Sequence, residues 1–154
     1  MSQSIGEELS AEEIKGFLED QGLGVLGFAA DGKAYTIPIA FAYDGETNRC
    51  FFRFIMDNDS MKREFVAETK VASLTVYEWK TKNQWKSVVM RGPIQRVANS
   101  DLDEAATLFS AVGEEAALEV FNDPLSEYET RWYELRGSEL TGRCQYVGSR
   151  ESLA

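Results

Sequence analysis

The chain has 154 residues, with 16 Lys and Arg against 26 Asp and Glu and a formal net charge of −10. Its 44% hydrophobic and 12% aromatic content suits one folded domain, residues 1–154 with flexible ends at 1–8 and 145–154, and excludes a disordered acidic tail. It has no histidine and two distant cysteines, so a Ser-His-Asp triad, a Cys-His pair and a histidine-based zinc site are ruled out, and Cys50 and Cys144 read as buried, inert thiols.

Ser10 caps a first helix. Glu13 completes a capping box, Ile14, Phe17 and Leu18 make the apolar face, and Gly22 ends the element. Gly24–Ala30 is an apolar strand, and Asp31-Gly32 is a hairpin turn signal. Lys33–Tyr43 alternates as a second strand, Asp44-Gly45 turns the chain, and Arg49–Ile55 is a third strand. These three runs predict an antiparallel meander. Met61–Glu68 reads as a short helix and Val71–Trp79 as a strand rich in β-branched and aromatic residues. The loop Lys80–Asn83 leads to a long strand, Trp85–Val97, which Gly92-Pro93 is expected to break or bulge. Ser100 caps a helix to about Ser110, a further helical stretch lies near Glu114–Phe121, and Thr130–Leu140 is a last strand before a loose tail. This order is not a repeating βαβ. It predicts a mainly β (α+β) fold, a small antiparallel barrel with helices packed outside.

No apolar run approaches the roughly 18 residues that span a bilayer, and Met1–Leu9 is too polar for a signal peptide, so a cytoplasmic protein with no membrane partner is expected. The acidic balance argues against nucleic acid, because phosphate neutralisation needs clustered Lys and Arg. It also means that any anion must meet a local positive cluster.

Three features can carry chemistry. One face of the second strand (Ala34, Thr36, Pro38, Ala40, Ala42) is small throughout, so either a helix packs on it or a flat ligand approaches its backbone. Pro38 belongs at an edge, a bulge, or where a ligand replaces a strand. The second feature is positive charge. Arg53 lies in the third strand, and Ser60, Lys62 and Arg63 lie at a helix start, which by itself reads first as an ordinary capped and solvated helix and second as a phosphate site. The third is Ser87, which shares a strand face with Trp85, Val89 and Arg91. Facing carboxylate pairs, a Walker or Rossmann loop and a metal site are not found, and no catalytic residue stands out.

In order and spacing, the segments Gly24–Ala30, Asp31–Ile39, Cys50–Phe54, Ser60–Lys62, Val71–Val76, Trp85–Gly92 and Leu140–Arg143 resemble the pyridoxamine-phosphate-oxidase-like family of flavin-binding split-barrel proteins. The resemblance implies a six-stranded antiparallel split barrel that forms a homodimer, with flavin mononucleotide (FMN) at each subunit interface. It implies that the ring system lies along Tyr35, Thr36, Ile37, Pro38 and Ile39. It places the phosphate on Arg53, Ser60, Lys62 and Ser87, and makes Trp132 a candidate contribution across the interface. A deazaflavin is the alternative cofactor. The implied activity is hydride transfer between a reduced nicotinamide or small organic substrate and the flavin. A flavin carrier or sensor without turnover, and a cofactor-free interaction module, are the alternatives. True pyridoxamine phosphate oxidases are longer and use His and Arg near the C-terminus, so that particular oxidation is not expected here.

Overall fold

The computed structural model describes residues 6–56, 60–112 and 129–145. The elements, in chain order, are β1 (Glu7–Glu8), α1 (Ala11–Asp20), β2 (Leu23–Ala30), β3 (Lys33–Ala40), β4 (Ala42–Asp44), β5 (Arg49–Met56), α2 (Ser60–Glu68), β6 (Val71–Thr81), β7 (Gln84–Arg96), α3 (Leu102–Val112), β8 (Glu129–Arg136) and β9 (Glu139–Gln145). The expected helical stretch near Glu114–Phe121 lies outside the described residues. No helix among those described is long and apolar enough to cross a membrane.

The local signals explain most of these elements. The Ser10 hydroxyl accepts from the Glu13 N–H at 3.1 Å, and the Glu13 carboxylate accepts from the Ser10 N–H at 3.0 Å, which is the predicted capping box. The end of α1 differs from expectation. Gln21, in extended backbone, terminates the helix, and Gly22 adopts no left-handed conformation. Asp31 and Gly32 both have positive φ, 52° and 72°, as the tight β2–β3 hairpin requires.

Hydrogen-bonded neighbours run β3-β2-β6-β7-β8-β5-β4, with β9 on β7 and β1 on β9. The path is open, yet its two ends are consecutive in the chain, with Phe41 alone between them. The expected strand Lys33–Tyr43 is therefore two strands. Its first part pairs with β2 and its last with β5, both antiparallel, so the three runs pair consecutively as expected but the middle one is broken at Phe41. Phe41 is fully buried at the break and donates its N–H to the Gly22 carbonyl at 3.0 Å. The architecture is the expected antiparallel split barrel, with β3/β4, β2, β6, β7, β8 and β5 around it and the split between β3 and β5.

Gly92-Pro93 neither breaks nor ends β7. The strand pairs with β6 over Gln84–Pro93 and with β9 on its other side over Trp85–Arg91, and its last residues, Ile94–Arg96, pair with β8. The corner between β8 and β9 crosses at that point, and Ser138 donates its N–H to the Arg91 carbonyl at 2.9 Å. A last strand ending at Leu140 is likewise corrected. The chain bends at Gly137-Ser138, and Thr141–Arg143, expected to follow the last strand, is the middle of β9. At α3 a 3-10 turn, Asn99–Asp101, precedes the helix, and Ala98 rather than Ser100 stands at its cap.

The barrel interior is filled by Leu26, Phe28, Phe52, Phe54, Leu74, Val76, Val88, Met90 and Leu135, each at most 2% exposed. Cys50 and Cys144 are free and buried, and burial pushes the Cys50 thiol pKa up, which keeps it protonated and unreactive. α1 and α2 pack Ile14, Phe17, Leu18, Phe65 and Val66 into this core. α3 lies outside it, covering Phe51 with Ala105 and covering Ala40 and Ala42 with Phe109.

Candidate functional site

β3 bonds to β2 alone among the described strands. The Phe41 N–H points to β2, so by antiparallel alternation the peptide groups of residues 39, 37 and 35 do as well. Those of Ala34, Thr36 and Pro38 face away from β2, toward the split. Pro38 has no N–H to lose there, which is why proline is tolerated at this position. Tyr35, Ile37 and Ile39 turn their side chains against the core. Thr36 and Pro38 are exposed and present both backbone and side chain outward.

The small face of this stretch is divided. Ala40 and Ala42 are buried under Phe109 of α3, as the helix-packing reading requires. Ala34, Thr36 and Pro38 remain open, as the ligand reading requires. Sequence left these as alternatives; a helix covers the stretch at Ala40 and Ala42, and the stretch at Ala34, Thr36 and Pro38 is exposed.

Arg53 lies on β5, across the split from β3, and is in register with Trp132 on β8. Its guanidinium carbon is 5.2 Å from the Phe109 ring centroid and 5.8 Å from that of Trp132. Phe109 and Trp132 meet edge to face, 5.3 Å apart and at 88°. Trp132 thus packs beside α3 and Arg53 of its own chain. Ser60 and Lys62 stand in the first turn of α2, and their side chains lie outside the described residues. α2 itself is held beside β3, where Phe65 stacks on Tyr35 at 5.2 Å and 15°.

Ser87 is not brought to this place within one chain. It lies on the outer face of β7, in register with Tyr77 and Arg143, three strands from β3. The same outer face carries a row Pro38, Val25, Thr75, Val89 and Thr141 across five strands.

Sequence reasoning missed two features. Phe109 belongs to the apolar stripe Ala105, Leu108, Phe109 of α3, a spacing that signals only a buried helix face. Arg49 is 4% exposed and binds Asp101, Glu134 and Thr47, partners scattered along the chain. A groove of about 820 Å³ lies elsewhere, against Lys15, Glu19, Tyr43, Asp44, Asp103 and Glu104. Its carboxylates make it repulsive to phosphate.

A sequence profile of the pyridoxamine 5'-phosphate oxidase family matches residues 10–144. An uncharacterised protein of Rhizobium meliloti (strain 1021) is 29% identical over 89 residues, 58% of this chain and 56% of that protein, so the match spans about half of its length. An FAD-binding protein from Mesorhizobium loti superposes with a TM-score of 0.74 at 21% identity, covering 92% of this chain and 99% of its own. The FAD binding protein from Mycobacterium smegmatis gives 0.68 at 21% identity, covering 92% and 100%. At these identities the two structures establish a shared fold.

Proposed function

The chain belongs to the pyridoxamine 5'-phosphate oxidase family, and on that premise we propose that it is an FMN-binding protein that transfers hydride between a reduced nicotinamide or small organic substrate and the flavin, as a homodimer. The observation that carries this reading is the open edge at Thr36–Pro38 facing, across the split, the strand that holds Arg53. Small side chains and outward peptide groups suit a flat, hydrogen-bonding ring system at contact distance from the backbone. Arg53, with Ser60 and Lys62 at the start of α2, supplies charge and donors for a phosphate. Ser87 would join this group from the second subunit.

The bound flavin supplies the hydride chemistry. The chain's residues bind it, orient it and exclude water from one face. Two neighbours of the same fold are FAD-binding proteins, which supports a flavin. The lack of any histidine removes the commonest haem ligand. The dimer reading is supported by the outer sheet face, where Leu23, Val71, Tyr77 and Trp79 are 60%, 57%, 62% and 61% exposed. An apolar face of this kind is ordinarily covered by a partner.

The test is an absorbance spectrum of the purified protein and of the ligand released by heating. Bands near roughly 370 and 450 nm are expected, and bleaching by a reduced nicotinamide identifies turnover. A single band near roughly 420 nm would replace FMN with a deazaflavin. Stable flavin bands that no donor bleaches would leave a carrier or sensor. No band, even after incubation with FMN, would leave an interaction module.

A further inference from the structure

The contacts of Arg53 assign a role to a residue of α3. A guanidinium is planar, and all five of its donors lie in that plane. Aromatic faces therefore hold it without consuming a donor. Arg53 has two such neighbours, Trp132 from the paired strand and Phe109 from the helix outside the barrel. The two rings stand at 88° to each other, so they border the guanidinium from two different directions. Phe109 is itself fixed, 1% exposed and packed on Ala40 and Ala42. That contact ties the orientation of Arg53 to the strand that continues into the open edge at Thr36–Pro38.

We propose that Phe109 is a positioning residue: with Trp132 it holds the Arg53 guanidinium so that its N–H edge meets the terminal phosphate monoester of the cofactor. The inference rests on the FMN reading and deepens it, because it makes α3 part of the phosphate site. A residue that positions a phosphate ligand acts on FMN and not on riboflavin, which has the same ring system and no phosphate.

The experiment is titration of the cofactor-free full chain with FMN and with riboflavin, followed by flavin fluorescence, alongside melting temperatures without ligand. Wild-type protein is expected to prefer FMN, and Arg53→Ala to lose that preference. Phe109→Leu keeps an apolar side chain against Ala40 and Ala42 but has no ring face. It is expected to weaken FMN binding by about tenfold and leave riboflavin binding unchanged. Phe109→Tyr, which restores a ring, is expected to bind FMN as wild type does. Should Phe109→Leu fail to fold, Phe109→Met is read in the same way, since methionine adapts to core gaps. Equal losses for both ligands, or an unchanged preference in the ringless variants, would overturn the positioning role while Arg53→Ala still supports the phosphate site. A wild-type protein that does not distinguish FMN from riboflavin would overturn both.

Discussion

Arg49 and Glu134 meet across the β5–β8 pair, where the arginine Nη1 donates to the carboxylate Oε1 at 3.2 Å and the residues are 4% and 1% exposed. The same Nη1 donates to Asp101 Oδ2 at 3.2 Å, and Nε donates to Thr47 Oγ1 at 2.8 Å. One guanidinium thereby fastens two strands and the turn that launches α3. Burial opposes its charge, but the Asp101 hydrogen bond and the Glu134 charge outweigh burial and hold its pKa above the ordinary arginine value. The cluster thereby ties the start of α3, the helix that carries Phe109, to β5, the strand that carries Arg53.

Arg49→Leu is expected to destabilise the protein by about 3 kcal/mol, because among the described residues it leaves the buried Glu134 with the exposed Arg136 alone as a charge partner. The double variant Arg49→Leu/Glu134→Leu is expected to recover most of that loss, since an apolar pair carries no desolvation cost. Urea unfolding of the two variants and the wild type checks this. A double variant less stable than Arg49→Leu would contradict it.

Gly92→Ala is expected to be more damaging than its size suggests. A Cβ there would overlap the Arg136 carbonyl oxygen at the corner between β8 and β9. Neither partner is a flexible side chain, so the strands must separate, at a cost of roughly 3 kcal/mol or more. Thermal unfolding measures it, and a melting temperature within a degree of wild type would show that the corner yields.

Tyr43 donates its hydroxyl to Asn48 Oδ1 at 2.7 Å, and its pKa is pushed up to about 12, first by burial and then by Cys50, Glu19 and Asp44. The unfolded chain loses this proton near pH 10, before the folded chain does. The neutral phenol therefore contributes stability that is complete below about pH 10 and fades as pH rises toward 12. Tyr43→Phe is expected to be less stable at pH 7 and to lose less on going from pH 9 to 11. Denaturant unfolding at both pH values, with equal losses in variant and wild type, would remove Tyr43 from the alkaline transition.

The double variant Tyr77→Lys/Trp79→Lys changes two exposed residues on the outer face and leaves the interior untouched. It is expected to be monomeric by light scattering at micromolar concentration, where the wild type is dimeric. Weaker FMN binding by the monomer would accompany it if, as proposed, Ser87 reaches the open edge of β3 from the second subunit. A wild type that scatters as a monomer with cofactor bound would overturn the interface.

Sequence alone determined the local elements: the capping box at Ser10, the Asp31-Gly32 hairpin, the positions of most strands, and the small face around Pro38. Each depends on side chains a few positions apart, acting through caps, turns and alternation. Arg53 was legible as a phosphate candidate because positive charge is sparse in an acidic chain. Tertiary structure alone decided that residues 33–44 serve two sheet edges, that β7 changes neighbours at Gly92, and that Ser87 stands apart from Arg53. It also decided which end of the small face a helix covers. Those outcomes depend on pairings between distant segments, where burial of Phe41, Phe51 and Phe109 outweighs the local alternation. Propensity cannot register a close approach such as Gly92 to Arg136, because neither residue marks the other in the sequence.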